Sequence, residues 1–303
     1  MKISVLVATR NRAAPLLHCL ASIAKQRVAA HEVLVLDDAS DQLRVSDVLK
    51  EAGIRDVRVL RAQTPLGIAA GRNRLVNEAS GEALFILDDD AYFDGPDCLT
   101  RISDILRERP KTAIVATRIV DHKFSVPRLL IPFPRHQQRC SPGLVDRAQL
   151  VSYFLGGAHA IRRSLFERIG GYHDSFVFGE EELDLSYRAI QAGYEIFYSP
   201  DIVVHHDPMP SVLQSMGRPQ AEIFYHVRNR LFLAKQFLPA AYLAPYLGLW
   251  LSRYAISALR NGTFPDYIGG IRSGLRTLGA HTRTPLQGAA LSYLRSNHGR
   301  LLF

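Results

Sequence analysis

Three adjacent carboxylates, Asp88-Asp89-Asp90, follow directly on the apolar run Ala83-Leu-Phe-Ile-Leu87. Neighbouring anions repel unless a cation or hydrogen-bond donors neutralise them. Hard cations such as Mg2+ or Mn2+ take oxygen ligands and bridge to substrate phosphates. In extended backbone alternate side chains share a face, so Asp88 and Asp90 can act on one ligand. A solvated acidic turn is the competing reading; the strand directly before the triplet favours the cation.

Two more acidic groups and a histidine pair carry chemical potential. Asp37-Asp38 closes the run Val33-Leu-Val-Leu36 and could accept from the N3–H of a uracil or thymine ring; alternatively, Asp38 or Ser40 caps a helix. Gly179-Glu180-Glu181-Glu182-Leu183-Asp184 lies between the aromatics Tyr172, Phe176 and Phe178 and a helix whose inner face includes Leu185 and Ile190. Acids in a first helical turn suit the helix dipole, and Asp184 and Arg188, four apart, can simply pair. Transfer of a group to a hydroxyl, however, needs a carboxylate to remove the proton. Such a base contributes typically about 10²–10⁴-fold, and an apolar wall from Phe176 and Phe178 would raise its pKa. His205-His206, after Ile202-Val203-Val204, offers an imidazole to complete an octahedral Mn2+ shell beside Asp90.

The elements that must position these groups alternate. Apolar runs at Ile3–Ala8, Val33–Leu36, Val57–Leu60, Ala83–Leu87 and Ala113–Thr117 read as buried strands. Between them lie helical spacings at Leu16/Leu20/Ile23, Val45/Val48/Leu49, Ile68–Ala79 and Leu99/Ile102/Leu106. This predicts an α/β fold, a mostly parallel sheet flanked by helices, with ligands at the carboxyl ends of the strands. Thr9-Arg10-Asn11-Arg12, Asp37-Asp38 and Asp88-Asp89-Asp90 then converge on one rim. The Pro-, Arg- and His-rich stretch Val120–Asp146 reads as a long loop over the site. Helical patterns follow at Ala221–Phe237 and Ala240–Leu259. We expect a catalytic domain over 1–210 and a basic helical extension over 211–303.

Composition narrows the class. The chain has 303 residues, 47% apolar and 22% charged, as an ordinary globular protein does. Three scattered cysteines argue against a disulfide framework or a zinc site. The formal charge of +8 is uneven: from Ser211 onward 11 Lys/Arg face only Glu222 and Asp266, against 26 to 27 in the rest. That asymmetry predicts an anionic partner for the C-terminal segment, unless it is a solvated face. Arg253, Arg260, Arg272 and Arg276 beside Trp250 and Tyr254 suit an anionic membrane surface. The uncharged run Phe237–Ser252 is too short to span a bilayer, and the N-terminal apolar run reads as a strand, not a leader. The expected location is cytoplasmic, peripheral on the inner face of the plasma membrane.

In order, Ser4-Val-Leu-Val-Ala-Thr-Arg-Asn-Arg12, Val35-Leu-Asp-Asp-Ala-Ser40, Leu66-Gly-Ile-Ala-Ala-Gly-Arg-Asn73 and Phe85-Ile-Leu-Asp-Asp-Asp90 resemble successive motifs of family 2 inverting glycosyltransferases with the GT-A fold. Gly156-Gly157, Gly170-Gly171-Tyr172, Glu181-Glu182-Leu183-Asp184-Leu185, Arg188 and Gly193-Tyr194 extend the resemblance. It implies a hexosyltransferase-type enzyme that uses a nucleotide diphosphate sugar donor, Mn2+ or Mg2+, and a glycan or lipid-linked acceptor, in bacterial cell-surface polysaccharide or glycolipid synthesis. Ala8, Thr9, Arg10, Asp38, Gly67, Arg72, Asp88 and Asp89 would line the nucleotide sugar. Asp90, with Asp88, would hold the cation, joined by His205 or His206. The acidic pair falls on Glu181 and Glu182, with Glu182 the base.

Two other classes fit less well. A sugar nucleotidyltransferase would carry a Gly-rich phosphate loop after the first strand, and Thr9–Arg12 has no glycine. A nucleic-acid-binding module would alternate aromatics with Arg on a strand platform, whereas the C-terminal aromatics lie in apolar helical segments. No nucleic-acid partner is expected.

Overall fold

The computed structural model describes residues 1–123, 125–208, 220–277 and 283–301. The apolar runs form β1 (Ile3–Thr9), β2 (Glu32–Asp37), β3 (Arg58–Arg61) and β4 (Ala83–Asp88), parallel in the order β3-β2-β1-β4. Their alternate side chains feed two cores. Leu6, Leu34, Leu36 and Ile86 face one side; Val5, Val7, Val35 and Phe85 face the other. Burial on both faces is why these strands read as unbroken apolar runs. The crossovers are α1 (Ala13–Ala24), α2 (Val45–Glu51) and α3 (Ile68–Glu78), with α4 (Cys98–Glu108) following β5 (Ala91–Phe93).

Beyond β4 the sheet departs from the simple parallel expectation. The strand at Ala113–Thr117 is the middle of β6 (Thr112–Asp121), which is not next to β4. Between them lies β9 (Ala158–Arg162), antiparallel to both. β10 (Glu195–His206) then pairs parallel with β6 and, at its end, antiparallel with β5. The stretch Val120–Asp146 is not one long loop: it holds β7 (Arg128–Leu130), α5 (Arg135–Cys140) and a 3-10 turn over Pro142–Asp146. β8 (Gln149–Val151), α6 (Arg163–Ile169) and α7 (Glu181–Gln191) complete this part. β1, β2, β4, β6 and β10 all end at one rim, with the first turn of α7 beside it.

The C-terminal helices are α8 (Glu222–Phe237), α9 (Ala240–Arg260), α10 (Phe264–Thr277) and α11 (Gly288–Ser296). Phe232, Leu233, Phe237, Tyr246 and Leu294 enter the same core as Leu6 and Leu183, so these helices pack on the sheet domain. The expected boundary near residue 210 lies outside the described residues.

One buried ion pair joins the two parts. Gly179 and Glu180, immediately before α7, have φ of 72° and 71°. A Cβ on Gly179 would lie 2.8 Å from the His226 ring, so this glycine serves both the turn and the approach of α8. Glu180 pays strain in the left-handed region and is held there by Arg230 at 3.0 Å and His226 at 3.1 Å. Burial pushes the Glu180 carboxyl up, but Arg230 first and His226 second bring it down to about 2. Arg230 is itself enclosed: it lies 3.6 Å over Trp250 and donates to Tyr246 Oη at 2.8 Å and Tyr254 Oη at 3.1 Å. Arg230→Ala leaves Glu180 buried with His226 in place of two partners, and is expected to cost about 3–5 kcal/mol in urea unfolding. A loss below ~1 kcal/mol would show that the pair does not brace the fold.

Candidate active site

At the end of β4 the chain turns through Asp89-Asp90 into β5, which pairs with the end of β10 and sets His206 opposite Ala91. Asp90 O accepts from Asp207 N at 2.9 Å, which fixes the turn. Ligand atoms of Asp88, Asp90 and His206 thereby lie within 4.8 Å of one another. His206 Nε2 is 3.4 Å from Asp90 Oδ1, and Nδ1 is 3.5 Å from Asp121 Oδ1. Burial lowers the His206 pKa, but Asp90, with Asp88 and Asp121 behind it, carries it up to about 9.

His205 does not join this group. Successive strand residues face opposite sides, and its Nδ1 is 2.8 Å from His122 Nε2, with the ring stacked on Tyr92. Of the histidine pair from which one was expected beside Asp90, the structure brings His206.

Asp89 lies between the two cation candidates and is buried. It accepts from Thr9 Oγ1 at 2.6 Å and pairs with Arg12 at 3.1 Å, the same guanidinium that lies 3.1 Å from Asp90. Burial lifts its carboxyl to about 7, against the pull of Arg12. Arg12 was not among the expected site residues, although it stands in the polar segment after the first strand.

The nucleobase candidates sit one strand further. Asp38 accepts from Leu66 N at 2.7 Å and Gly67 N at 3.2 Å, and burial raises its pKa. Arg10 donates to the carbonyls of Asp38 (2.8 Å) and Ala39. Neither Asp38 nor Ser40 caps a helix: α2 starts at Val45, with Arg44 at its N-cap. Asp37 accepts from Ser40 N at 2.9 Å and pairs with Arg61, closing the turn locally. Ala8 and Asp88 are register partners across β1 and β4, so the nucleobase candidates and the acidic triplet share one rim.

Arg72, buried on α3, links the triplet to α7. Its Nη2 is 3.2 Å from Asp88 Oδ1 and donates to Gly156 O at 3.1 Å; its Nη1 is 3.4 Å from Glu181 and 3.5 Å from Glu182. Burial raises the pKa of both glutamates, and the Glu182 charge adds to it at Glu181; Arg72 opposes the rise in both. Glu181 Oε2 is buried without a hydrogen-bond partner among the described residues. A Cβ on Gly156 would lie 1.8 Å from Glu182 Oε1, so only glycine admits the carboxylate there. Asp184 pairs with Arg188, as four-residue spacing predicts. Phe176 packs on Phe232 in the core, and burial of the carboxyls themselves accounts for the raised pKa.

Arg72→Ala would leave buried carboxylates facing each other, at a cost of about 3–5 kcal/mol near pH 8. The raised glutamates of that variant bind protons more tightly folded than unfolded, so its stability falls as pH rises above the unfolded carboxylate value. Denaturant titrations should therefore show a smaller deficit at pH 5 than at pH 8. An equal deficit at both would remove the charge explanation.

Comparisons with known proteins agree with this arrangement. Residues 4–170 match the model of Glycosyl transferase family 2. The chain is 26% identical over 219 residues to the succinoglycan biosynthesis protein ExoA of Rhizobium meliloti, covering 69% of this chain and 65% of that one. It spans less than two thirds of the length of this and other curated relatives. Among solved structures, S. aureus TarS 1-349 in complex with UDP-GlcNAc has a TM-score of 0.64 at 18% identity, over 92% of this chain and 82% of that one. A mannosyltransferase of Pyrobaculum calidifontis in complex with GDP-Man and Mn2+ has a TM-score of 0.58 at 19% identity, over 97% and 79%. These likenesses show the fold, a GT-A arrangement. With more than half its length matched by the family model, the chain belongs to glycosyl transferase family 2.

Proposed function

We propose that this protein transfers a sugar from a nucleoside diphosphate sugar to an acceptor hydroxyl with inversion, using a divalent cation. The carrying observation is the reach of Arg72: one guanidinium touches Asp88 on the cation side and Glu181 and Glu182 on the other. A leaving-group site and a proton acceptor are thus one side chain apart. Solved structures of the same fold are complexes with UDP-GlcNAc and with GDP-Man and Mn2+, which supports this donor class.

The residues fit a cation. Asp88, Asp90 and His206 offer two carboxylates and an imidazole, a set suited to Mn2+ or Mg2+. His206 Nδ1 is buried without a hydrogen-bond partner among the described residues, so the ring is placed by its neighbours' charge. A bound cation would neutralise charge on the departing diphosphate. Asp38, Thr9, Ala8, Arg10 and Gly67 form the nucleotide end, with Asp38 already fixed by two backbone donors. Glu182 takes the acceptor proton. Burial raises its pKa, which strengthens it as a base, and Arg72 opposes that rise. Attack from the Glu182 side on a sugar whose diphosphate lies at Asp88 and Asp90 displaces the leaving group from the opposite face.

Membership of the family favours this over a nucleotidyltransferase, and likeness to a succinoglycan biosynthesis protein supports a glycan or lipid-linked acceptor in cell-surface polysaccharide or glycolipid synthesis. Among the described residues no helix is long and apolar enough to cross a membrane. Peripheral attachment at the inner face of the plasma membrane is supported by the α9–α10 hairpin. Ile256, Leu259, Phe264 and Leu275 are exposed there, and Arg253, Arg260, Arg272 and Arg276 lie on the same two helices. Trp250 and Tyr254 are not part of that surface, being engaged with Arg230.

Glu182→Gln is expected to lower turnover by about 10²-fold or more while leaving nucleotide binding intact. Asp90→Ala should abolish the Mn2+ dependence of nucleoside diphosphate binding, measured by calorimetry with and without the metal. An unchanged turnover number in the first variant, or metal-independent binding in the wild type, would overturn the assignment. The protein should sediment with anionic vesicles at low salt and be released as salt rises. Replacing Leu259 and Phe264 together by Ser should weaken that attachment severalfold; equal recovery with neutral and anionic vesicles would sink the membrane reading.

A further inference from the structure

A second constellation lies along the segment that packs against Glu182, the base of the proposed function. The segment Ser152–Gly156 runs from β8 toward β9. Its last residue packs against Glu182, and burial first, with the Glu182 charge second, raises the Tyr153 phenol pKa. The Arg300 guanidinium lies over the Tyr153 ring, 3.7 Å from its centroid. Its backbone is firmly held: Tyr187 Oη donates to Arg300 O at 2.8 Å, Ser152 Oγ to Asn297 O at 2.7 Å, and Leu301 is buried.

What is unusual is what these two side chains lack. Among the described residues Arg300 makes no ion pair, and neither its guanidinium nor the Tyr153 hydroxyl makes a hydrogen bond; both are only partly buried. Glu180, the nearby acid whose pKa Arg300 helps lower, is already satisfied by Arg230 and His226. A permanent cation with five donors therefore stands over Tyr153, locked by its stack and its backbone, with no hydrogen bond from its guanidinium among the described residues. Three consecutive glutamates, Glu180 to Glu182, would by themselves repel an anionic acceptor. Arg300 reverses that locally, and its planar fork matches an oxyanion.

We propose that Arg300 and Tyr153 form an acceptor subsite for a phosphate group. The inference rests on the reading of Glu182 as the base only for the word acceptor; the anion site itself rests on the two side chains. Arg300 takes the phosphate oxygens, the Tyr153 hydroxyl donates to the same group, and the hydroxyl to be glycosylated is thereby brought toward Glu182. The phosphate belongs either to a glycan chain or to a lipid headgroup.

Calorimetry on the full chain tests this, with glucose 6-phosphate, glucose and octyl phosphate as probes, in EDTA so that no cation can carry phosphate at Asp88 and Asp90. Glucose 6-phosphate should bind more tightly than glucose. Arg300→Gln should weaken the phosphate probes roughly ten- to hundredfold, with glucose unchanged. Arg300→Lys should restore most of the loss, and Asp90→Ala should bind phosphate as the wild type does. Tyr153→Phe keeps the stack and removes only the hydroxyl, so a weakening of about threefold or more is expected whether or not Arg300→Gln folds well. Tighter binding of octyl phosphate than of glucose 6-phosphate assigns the group to a lipid, and equal binding to a glycan; both support the subsite. Wild-type affinity in both Arg300→Gln and Tyr153→Phe, or a loss confined to Asp90→Ala, overturns it. UDP and GDP binding, measured with Mn2+ on the same samples, tells the two ideas apart. Its absence removes the donor reading and leaves the anion site standing, while its persistence without phosphate discrimination removes only the subsite.

Discussion

Five carboxylates of this protein are gathered at one rim, and two guanidiniums make that possible. Asp88, Glu181 and Glu182 converge on Arg72; Asp89 and Asp90 converge on Arg12. In a partly dry cleft, repulsion between such groups is worth far more than in water. The two arginines neutralise only part of it. The remaining negative charge, set around Asp88 and Asp90, suits a divalent cation, while burial, with Arg72 as the opposing charge, raises the pKa of Glu181 and Glu182. Arg72 also ties three distant stretches, α3, the end of β4 and the start of α7, so the geometry of the site and the packing of the domain are not separable.

A second ion pair extends this logic to the C-terminal helices. Glu181 and Glu182 can face Arg72 only if α7 starts where it does, and that start requires Gly179 and Glu180 in left-handed conformations. Arg230 and His226 on α8, with Asn229 donating to the carbonyls of Phe178 and Gly179 at 3.0 and 2.7 Å, hold the turn from outside. The basic character of the C-terminal segment thus has two sources. Arg230 is internal, and Arg228 and Arg283 are spent on backbone carbonyls. Arg253, Arg260, Arg272 and Arg276 are exposed and enter no salt bridge among the described residues, Arg253 lying over the Trp250 ring.

The first four strands and their helices were legible because each is a local pattern: an apolar run buried on both faces, then a helical spacing. The insertion of β9 between β4 and β6 was not, since pairing between residues some 75 apart leaves no mark on local periodicity. β5, β7 and β8 are three residues each, too short for a period to show. Within the site the acidic clusters announced themselves by density. The choice between His205 and His206 could not be made from sequence, because it depends on the register of β10 against β5. Tyr153 and Arg300 escape a sequence reading for a related reason. Each is a common residue in an unremarkable neighbourhood, and only the fold shows what stands opposite it.

Charge balance also explains why the cation side and the base side can respond to different things. Without a cation, His206 is held protonated by Asp90, up to about 9, and Asp89 is lifted to about 7. Both shifts have one cause, clustered carboxylates in a buried setting, and that is the surplus a divalent cation would relieve. Arg72 keeps a fixed positive charge between Asp88 and the pair Glu181 and Glu182. Charge at Asp88 and Asp90 can then change while Glu181 and Glu182 keep their counter-ion. A lysine at position 72 would supply the charge but not the two-sided fork, and could not serve both sides at once.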